Sequence, residues 1–316
     1  MNRIRVFAPA TIGNVSVGFD ALGLAISPLD GSLLGDIVTL ESADLDDWRL
    51  EVTGDFANEL PDDPEQNIVL VACRRFEAVM SDRSVEIHPL SVTLEKRLPI
   101  GTGLGSSAAS VVAALEALNR FHRYPLGARE QFGLMAELEG SVSGGIHTDN
   151  IGPCLFGGLR LCPPGNTDVY ALPWPATWQV VVCWPGSRLE TKASRAVLPE
   201  EVPLATAARQ SAAFAAFVHA LHSGNPALAS ASLVDLLAEP HRMKLLPGFE
   251  KARDALAGLG ALAVGIAGSG PSLFSVFDNP ESARTAAQWL NANYRANERG
   301  FVHVCRAEQG GARSIA

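Results

Sequence analysis

Apolar and polar residues follow each other along the chain in patterns that predict both strands and helices. Val92 and Leu94 alternate with Thr93 and Glu95, which is typical of a half-buried strand, and this strand leads into a glycine-rich loop. β-Branched content and bounding turns predict further strands at residues 4–7, 36–40, 178–184, 261–267, 273–277 and 301–305. Helical periodicity predicts helices at about residues 67–80, 106–121, 129–140, 204–223, 226–238, 249–258 and 280–294.

The segment 162–177, CPPGNTDVYALPWPAT, is the best candidate for a domain boundary because it is rich in proline and turn residues. Beyond it, strands interleaved with helices suggest a split β-α-β layer on one face of an antiparallel sheet. A chain of 316 residues is also long for a single core. We therefore predict an α+β protein in two domains, residues 1–165 and 166–316.

Composition and charge narrow the classes of partner. Hydrophobic residues make up 47% of the chain and charged residues 19%, as in compact globular proteins, and the net charge of −9 argues against a nucleic-acid or anionic-membrane surface. The scattered cysteines show neither a disulfide framework nor zinc-ligand spacing, so we expect reduced, buried thiols. The N-terminus lacks a signal-like apolar region. We expect a soluble, cytoplasmic protein with no nucleic-acid and no membrane partner.

The glycine-rich loop, PIGTGLGSSAA at residues 99–109, is the strongest chemical signal in the sequence. It lacks the lysine of a P-loop, and Ser106 replaces the third glycine of a dinucleotide fingerprint. Glycines nevertheless allow backbone N–H groups to approach an anion, and an apolar helix that begins near Ser106 points its positive end at the same place. Ser106 or Ser107 can cap that helix, and either hydroxyl could reach a magnesium ion. A turn that only caps a helix is the structural alternative.

This loop resembles the second motif of the galactokinase, homoserine kinase, mevalonate kinase and phosphomevalonate kinase (GHMP) superfamily. Residues 8–20, APATIGNVSVGFD, are similar to its first motif, and residues 265–272, GIAGSGPS, to its third. Within the superfamily the chain is most similar to the homoserine kinase family in its enteric bacterial form. Three stretches carry that closer resemblance, HTDNIGP at 147–153, ETKASR at 190–195 and EPHR at 239–242. The resemblance covers nearly the whole chain.

The resemblance implies a fold and an activity. The fold would have an N-terminal ribosomal-S5-like nucleotide-binding domain and a C-terminal ferredoxin-like split β-α-β domain that completes the substrate site. The activity would be transfer of the γ-phosphoryl group of ATP, with Mg²⁺, to the side-chain hydroxyl of L-homoserine, a step of threonine biosynthesis. The resemblance also implies a homodimer.

The resemblance assigns the nucleotide and metal residues. Asn67 is expected near the nucleotide, and magnesium is expected to be held by Ser107 and Glu139, with Glu137 as the competing choice. The residues expected to wrap the nucleotide phosphates are Pro99, Ile100, Gly101, Thr102, Gly103, Leu104, Gly105, Ser106, Ser107, Ala108 and Ala109.

The acceptor is a zwitterion, whose recognition needs groups of both signs. The resemblance places Asp20, with Asn14 beside it, at the ammonium group. Arg195 and Arg242 suit the carboxylate because a guanidinium fork binds it in a bidentate way. The remaining assignments are His147 and Asn150 at the hydroxyl, Thr191 closing the site, and Asn150 and Arg195 as the catalytic residues.

No general base is named, and the role of Asp149 stays open, because phosphoryl transfer depends mainly on positioning and charge stabilisation. Gly13 departs from the family pattern, which usually has alanine there, and Thr102 stands where serine is common. The glycines of residues 265–272 could act in the site or only shape its wall. Two other functions compete: a kinase for another acceptor, such as mevalonate or a sugar, and a catalytically silent binding or regulatory protein.

Overall fold

The computed structural model describes residues 2–143 and 148–316. Its strands are β1 (Arg3–Pro9), β2 (Thr11–Gly13), β3 (Leu22–Pro28), β4 (Gly35–Ser42), β5 (Arg49–Thr53), β6 (Leu90–Glu95), β7 (Leu159–Leu161), β8 (Tyr170–Leu172), β9 (Gln179–Trp184), β10 (Ala263–Ile266), β11 (Leu273–Phe277), β12 (Phe301–Ala307) and β13 (Arg313–Ser314). Its helices are α1 (Ile68–Ser81), α2 (Ser106–Phe121), α3 (Ala128–Ser143), α4 (Ile151–Phe156), α5 (Thr191–Ala196), α6 (Leu204–Ser223), α7 (Pro226–Ala231), α8 (Glu239–Arg242), α9 (Phe249–Gly258) and α10 (Pro280–Asn293).

The strands form two sheets. One has the order β13-β1-β4-β6-β5 and is antiparallel except for the parallel pair β5 and β6. The other has the order β10-β11-β9-β12-β3-β7-β8, and β2 pairs with β3 beside this path. Sheets and helices of this kind confirm the predicted α+β class.

Burial explains why these segments form the elements that they do. Alternate residues of β6 are buried, which is the period of a strand with one face on the core. β9 is buried along Val180–Trp184, so it lies inside the second sheet and reads as a continuous apolar run. α2 is buried on nearly every side and packs on β1, β4, α1 and α3. The core of the first sheet therefore surrounds the helix that follows the glycine-rich loop.

The end of the chain returns to its beginning. β12 pairs with β3, with Cys305 opposite Pro28, and β13 pairs with β1, with Val6 opposite Ser314. Strands from both halves of the sequence therefore share each sheet. The division between residues 165 and 166 stays a prediction.

The helix expected at 226–238 is shorter than predicted, because α7 ends at Ala231. Beyond it Asp235 uses its carboxylate to accept the backbone N–H groups of Leu237, Ala238 and Glu239, which starts a new helix. The strands β2, β3, β5, β7, β8 and β13 were not predicted. All five cysteines are free and buried, as expected. In the described part of the chain no helix is both long and apolar enough to span a bilayer.

Candidate active site

The glycine-rich loop passes from β6 to the N-terminus of α2 through left-handed backbone. Gly101, Gly103 and Gly105 have φ angles of +67°, +78° and +67°, and Gly105 immediately precedes α2. A residue with a side chain is strained at such angles, whereas glycine adopts them readily. The path of the loop therefore requires glycine at these positions.

Two of these glycines also lie too close to neighbouring segments to carry a side chain. A Cβ at Gly103 would stand 2.1 Å from the carbonyl oxygen of Ala267, and one at Gly105 would stand 2.1 Å from Oγ1 of Thr11. Thr11 belongs to the first motif-like stretch and Ala267 to the third. The loop is therefore held between the two other stretches that the sequence analysis singled out.

The backbone polarity of the loop favours an anion. Three of its carbonyl groups accept hydrogen bonds from backbone N–H groups of neighbouring segments: Gly101 from Leu189 at 2.9 Å, Thr102 from Ser272 at 3.1 Å, and Leu104 from Thr11 at 3.1 Å. The first N–H groups of α2, by contrast, have no acceptor within the helix because no turn precedes them. They lie at the positive end of the helix dipole, which is a natural place for a phosphate group.

A buried ion pair beneath the loop holds both of its arms. Lys96 Nζ lies 2.5 Å from Asp36 Oδ2, and the two side chains are 1% and 0% exposed. Lys96 also donates to the carbonyl oxygen of Ser106 at 3.0 Å. The other carboxylate oxygen of Asp36 accepts from the backbone N–H groups of Arg97 and Leu98 at 2.9 and 3.0 Å. One ion pair thus fixes the arm that enters the loop and the arm that leaves it.

The expected magnesium ligands, Ser107 and Glu139, lie together beside the loop. Burial raises the pKa of Glu139 to about 7, while the Ser107 hydroxyl and the charge of Lys96 act against that shift. Ser107 Oγ is itself buried and makes no hydrogen bond of good geometry with the described residues. A hydroxyl and a carboxylate are the oxygen ligands that Mg²⁺ prefers, so the residues present fit this ion. The competing Glu137 lies at the surface, where it pairs with Arg75 at 2.9 Å.

We call residues 96–107 together with Glu139 the loop wall of the site. Facing it is a turn with strained backbone, in which Asn14, Val15 and Ser16 have φ angles of +66°, +46° and +55°. Asn14 Nδ2 donates to the carbonyl oxygen of Gly268 at 3.0 Å, and Asn14 Oδ1 accepts from the backbone N–H of Asp20 at 2.8 Å. Left-handed residues with side chains persist only where surrounding contacts hold them.

Asp149 is buried directly behind this turn. Its Oδ2 accepts from the backbone N–H of Asn14 at 3.2 Å, and burial, together with the nearby charge of Asp20, raises its pKa to about 7. A Cβ at Gly13 would stand 2.5 Å from the same oxygen. Gly13, which replaces the alanine usual in the family, therefore leaves room for the carboxyl group of Asp149.

Asn150 lies where the strained turn meets the loop wall. Its Oδ1 accepts from Thr11 Oγ1 at 2.8 Å, and its Nδ2 lies 3.4 Å from Asp149 Oδ1. A Cβ at Gly105 would stand 3.1 Å from Asn150 Oδ1. The amide of Asn150 is therefore fixed next to the end of the loop.

Charges of both signs meet in the site. Arg195 Nη2 lies 2.8 and 3.0 Å from the two carboxylate oxygens of Asp20. Arg242 is buried and donates to the carbonyl oxygen of Gly268 at 2.9 Å, the same oxygen that Asn14 contacts. Both guanidinium groups lie over the ring of Phe19, at 5.7 and 5.5 Å from its centroid. We call Asn14, Asp20, Arg195 and Arg242 the charged wall.

The short helix α5 brings Arg195 to the charged wall. Ser194 Oγ donates to the carbonyl oxygen of Ser269 at 2.7 Å, and Thr191 Oγ1 lies 3.4 Å from Ser269 Oγ. The stretch 265–272 therefore supports α5 and Arg242 as well as the loop. It shapes the wall of the site through its backbone, which is one of the two roles that the sequence analysis considered for it.

The structure thus brings together most of the residues that the sequence analysis singled out. Asn14, Asp20, Asn150, Thr191, Arg195 and Arg242 line one region next to residues 99–109, Ser107 and Glu139. Asn67 is buried and caps α1 by accepting the backbone N–H of Val69 at 3.0 Å, and its contact with a nucleotide stays a prediction. His147 lies outside the described residues.

Lys96 and Asp36 were not predicted as residues of the site. A signal for Lys96 was present, because it continues the buried register of β6, in which Leu90, Val92 and Leu94 point inward. A lysine on the buried side of a strand needs a partner, and that partner is 60 residues away in the chain. Only the pairing of β4 with β6 places the two side chains together.

The loop is suited to an anion at a helix N-terminus, and beside it lies a wall with charges of both signs. This arrangement is typical of a phosphotransferase site for a small polar molecule. Comparisons with known proteins agree with this class. Residues 67–158 match the family model "GHMP kinases N terminal domain", and residues 217–296 match "GHMP kinases C terminal". The chain belongs to the GHMP kinases, which are small-molecule kinases that use ATP, generally with Mg²⁺. The expected two-domain α+β fold of this superfamily is confirmed.

Solved structures that share this fold are kinases of different substrates. The chain is 33% identical to a homoserine kinase from Cytophaga hutchinsonii, with a TM-score of 0.90, and the match covers 100% of this chain and 98% of that one. A phosphomevalonate kinase from Streptococcus pneumoniae is 12% identical, with a TM-score of 0.68 and 99% of both chains covered. A D-glycero-D-manno-heptose 1-phosphate kinase from Bacteroides thetaiotaomicron is 19% identical, with a TM-score of 0.62 and 99% of both chains covered. The fold alone therefore does not choose the acceptor.

Proposed function

We propose that this protein is a homoserine kinase, which transfers the γ-phosphoryl group of ATP to the side-chain hydroxyl of L-homoserine. The products are O-phospho-L-homoserine and ADP. The observation that carries the proposal is the charged wall, in which the carboxylate of Asp20 and the guanidinium groups of Arg195 and Arg242 adjoin a loop suited to phosphate. The full-length similarity to a homoserine kinase supports the same acceptor.

The loop wall is suited to the nucleotide. The loop at residues 99–109 would wrap the phosphates, chiefly through the first N–H groups of α2, which the helix leaves without an acceptor. The N–H groups of Ile100 and Ala109 already donate, to Glu59 Oε2 and to the carbonyl oxygen of Gly105. Ser107 and Glu139 would hold Mg²⁺, and this ion, when bound, would neutralise charge on the phosphate oxygens. The buried pair of Lys96 and Asp36 keeps the loop in shape without needing to contact the nucleotide.

The charged wall is suited to an α-amino acid. Without substrate, Arg195 and Asp20 neutralise each other. A zwitterion can replace this pair without leaving either charge alone, because its ammonium group takes the place of Arg195 at Asp20 and its carboxylate takes the place of Asp20 at Arg195. Arg242 adds a second guanidinium group for the carboxylate, and Asn14 adds an amide beside Asp20. An amine or an acid alone would leave one charge unpaired, which is costly in a partly buried site.

The acceptor hydroxyl would then lie near Asn150, which is fixed beside the loop by Thr11. Thr191 would close the site from α5, and Arg195 would be the cation nearest the transferred group. No residue is assigned as a general base. Phosphoryl transfer through a loose transition state needs the two substrates in line and its charge stabilised, and both requirements are met by positioning. The homodimer that the resemblance implies stays a prediction.

The test is the release of ADP from ATP and Mg²⁺ with a panel of acceptors. The panel holds L-homoserine, L-serine, L-threonine, mevalonate and galactose. We expect turnover with L-homoserine far above the other four. Turnover with mevalonate or galactose instead would keep the kinase and overturn the acceptor, whereas silence across the panel with intact ATP binding would overturn the catalytic proposal.

A further inference from the structure

Gln210 is a buried glutamine in a part of α6 whose other residues are exposed or partly exposed. It is 6% exposed, and the other buried residues of this helix, Phe217, Ala220 and Leu221, all lie nearer its C-terminal end. A buried amide is costly unless its donors and acceptor are satisfied. The partners of Gln210 therefore show what this position does for the fold.

The first partner of Gln210 is the strained turn of the charged wall. Its Nε2 donates to the carbonyl oxygen of Val17 at 2.7 Å. Val17 directly follows the left-handed residues 14–16 and precedes Asp20 by three positions. Left-handed residues with side chains need support from outside the turn, and the Gln210 amide supplies it through the carbonyl oxygen of Val17.

The second partner is the segment that leads into α8 and Arg242. Gln210 Nε2 also donates to the carbonyl oxygen of Val234 at 3.3 Å, and its Oε1 accepts from the backbone N–H of Leu236 at 2.9 Å. Between these two residues Asp235 accepts the backbone N–H of Glu239, the first residue of α8. The same amide thus holds the base of the helix whose last residue is Arg242.

We propose that Gln210 is a positioning residue that sets the distance between Asp20 and Arg242, and so tunes the site for the length of one amino-acid acceptor. The proposal rests on the proposed function. Gln210 does not touch the acceptor, but its side chain ties together the two backbone segments that carry the ammonium-binding and carboxylate-binding groups. Inside the site, the carbonyl oxygen of Gly268 accepts hydrogen bonds from both Asn14 and Arg242. The side chain of Gln210 makes a second link between the same two segments.

The test replaces Gln210 by glutamate and by alanine. In Gln210→Glu one oxygen can still accept from Leu236, but the two donors are lost and a carboxylate faces two carbonyl groups. The matched control is Gln131→Ala, since Gln131 is also buried and bridges Asn119 and Glu116, at 2.9 and 2.6 Å, away from the charged wall. We expect each Gln210 variant to raise the KM for L-homoserine about tenfold with the KM for ATP within about twofold, because the lost buried hydrogen bonds loosen the charged wall and leave the contacts of the loop wall intact. The control should leave both KM values within about twofold.

A second readout does not depend on the acceptor. Backbone hydrogen exchange should speed up in both residues 14–20 and residues 235–242 of the Gln210 variants, and in neither segment of the Gln131 variant. Exchange that rises in only one segment, in neither, or equally in the control overturns the positioning role, even if wild-type protein phosphorylates L-homoserine. Absence of activity on L-homoserine in wild-type protein overturns the proposed function instead, and the exchange result then decides whether Gln210 braces the two segments.

Discussion

The two walls of the site are built in opposite ways. The loop wall is largely one continuous stretch, residues 96–107, whose shape follows from its glycines, the start of α2 and one buried ion pair. The charged wall collects side chains from distant segments and carries strained backbone and an ion pair between two binding groups. The loop wall keeps donors for a ligand in the first N–H groups of α2, whereas Asp20 and Arg195 of the charged wall already pair with each other.

This difference matches what each wall has to recognise. Phosphate is the same in every nucleotide, so a preformed backbone cradle serves for any acceptor. The acceptor differs among the solved structures of this fold, which include a phosphomevalonate kinase and a heptose phosphate kinase. A wall assembled from separate segments can change one group at a time. Substitutions in each wall test this difference, and they are given in order of decreasing expected effect.

The largest effect is expected from Lys96→Met, which leaves Asp36 charged and unpaired in the core. Breaking a buried pair from one side costs about 3–5 kcal/mol of unfolding free energy. We expect this loss in urea denaturation, together with a higher KM for ATP and an unchanged KM for L-homoserine. Arg120→Met is the control, since its pair with Glu116 is partly exposed and is worth about 1 kcal/mol or less. Equal losses in the two variants would mean that the buried pair does not hold the loop.

The next effect separates two glutamates on one helix. Glu139→Gln removes a negative oxygen beside Ser107, and we expect kcat to fall about a hundredfold, because lost stabilisation of transition-state charge has costs of this size. Glu137→Gln changes a surface pair with Arg75 and should leave kcat within about twofold. Raising the Mg²⁺ concentration should restore part of the activity of the first variant. Equal kcat values for the two variants would remove Glu139 from the loop wall.

The smallest effect concerns the pH dependence of stability on the charged wall. The pKa of Asp149 is raised from 3.8 to about 7, so the folded state holds this proton more tightly than the unfolded state. The stabilisation from that proton is complete below pH 3.8 and is lost as the pH rises through about 7. Asp149→Asn stays neutral at every pH. We therefore expect the unfolding free energy of the variant, relative to that of wild-type protein, to rise by about 2.5 kcal/mol between pH 5 and pH 8, because the pH units below the raised pKa are each worth about 1.4 kcal/mol.

Urea denaturation of both proteins at pH 5, 6, 7 and 8 measures this gain. A constant difference in unfolding free energy across the series would mean that Asp149 is charged in the folded protein throughout. Asp235, whose carboxylate accepts three backbone N–H groups, offers a contrast, because Asp235→Ala removes the acceptor of all three and should destabilise at every pH.

Much of the fold was predictable because local patterns decided it. α2, α6 and α9 have the predicted bounds, and β11 does as well, since each has a clear period and a terminating glycine, proline or polar residue. The predicted helix at 226–238 fails where a side chain, Asp235, competes for backbone N–H groups. The strand β3 was missed because it lies in the middle of a sheet whose partners, β7 and β12, come from far along the chain.

The sequence by itself determined the glycine-rich loop, the buried helix behind it and the kinds of side chain that the site needs. The conformational freedom of glycine and the unpaired N–H groups of a helix N-terminus act over a few residues, so their effect on the backbone can be predicted from residues adjacent in the sequence. Tertiary structure alone decided that Lys96 meets Asp36, that Arg195 rests on Asp20, that Gly13 makes room for Asp149 and that Gln210 braces two segments. Each of these contacts joins residues far apart in the chain, and their partners are set by sheet pairing and helix packing, which no local pattern encodes.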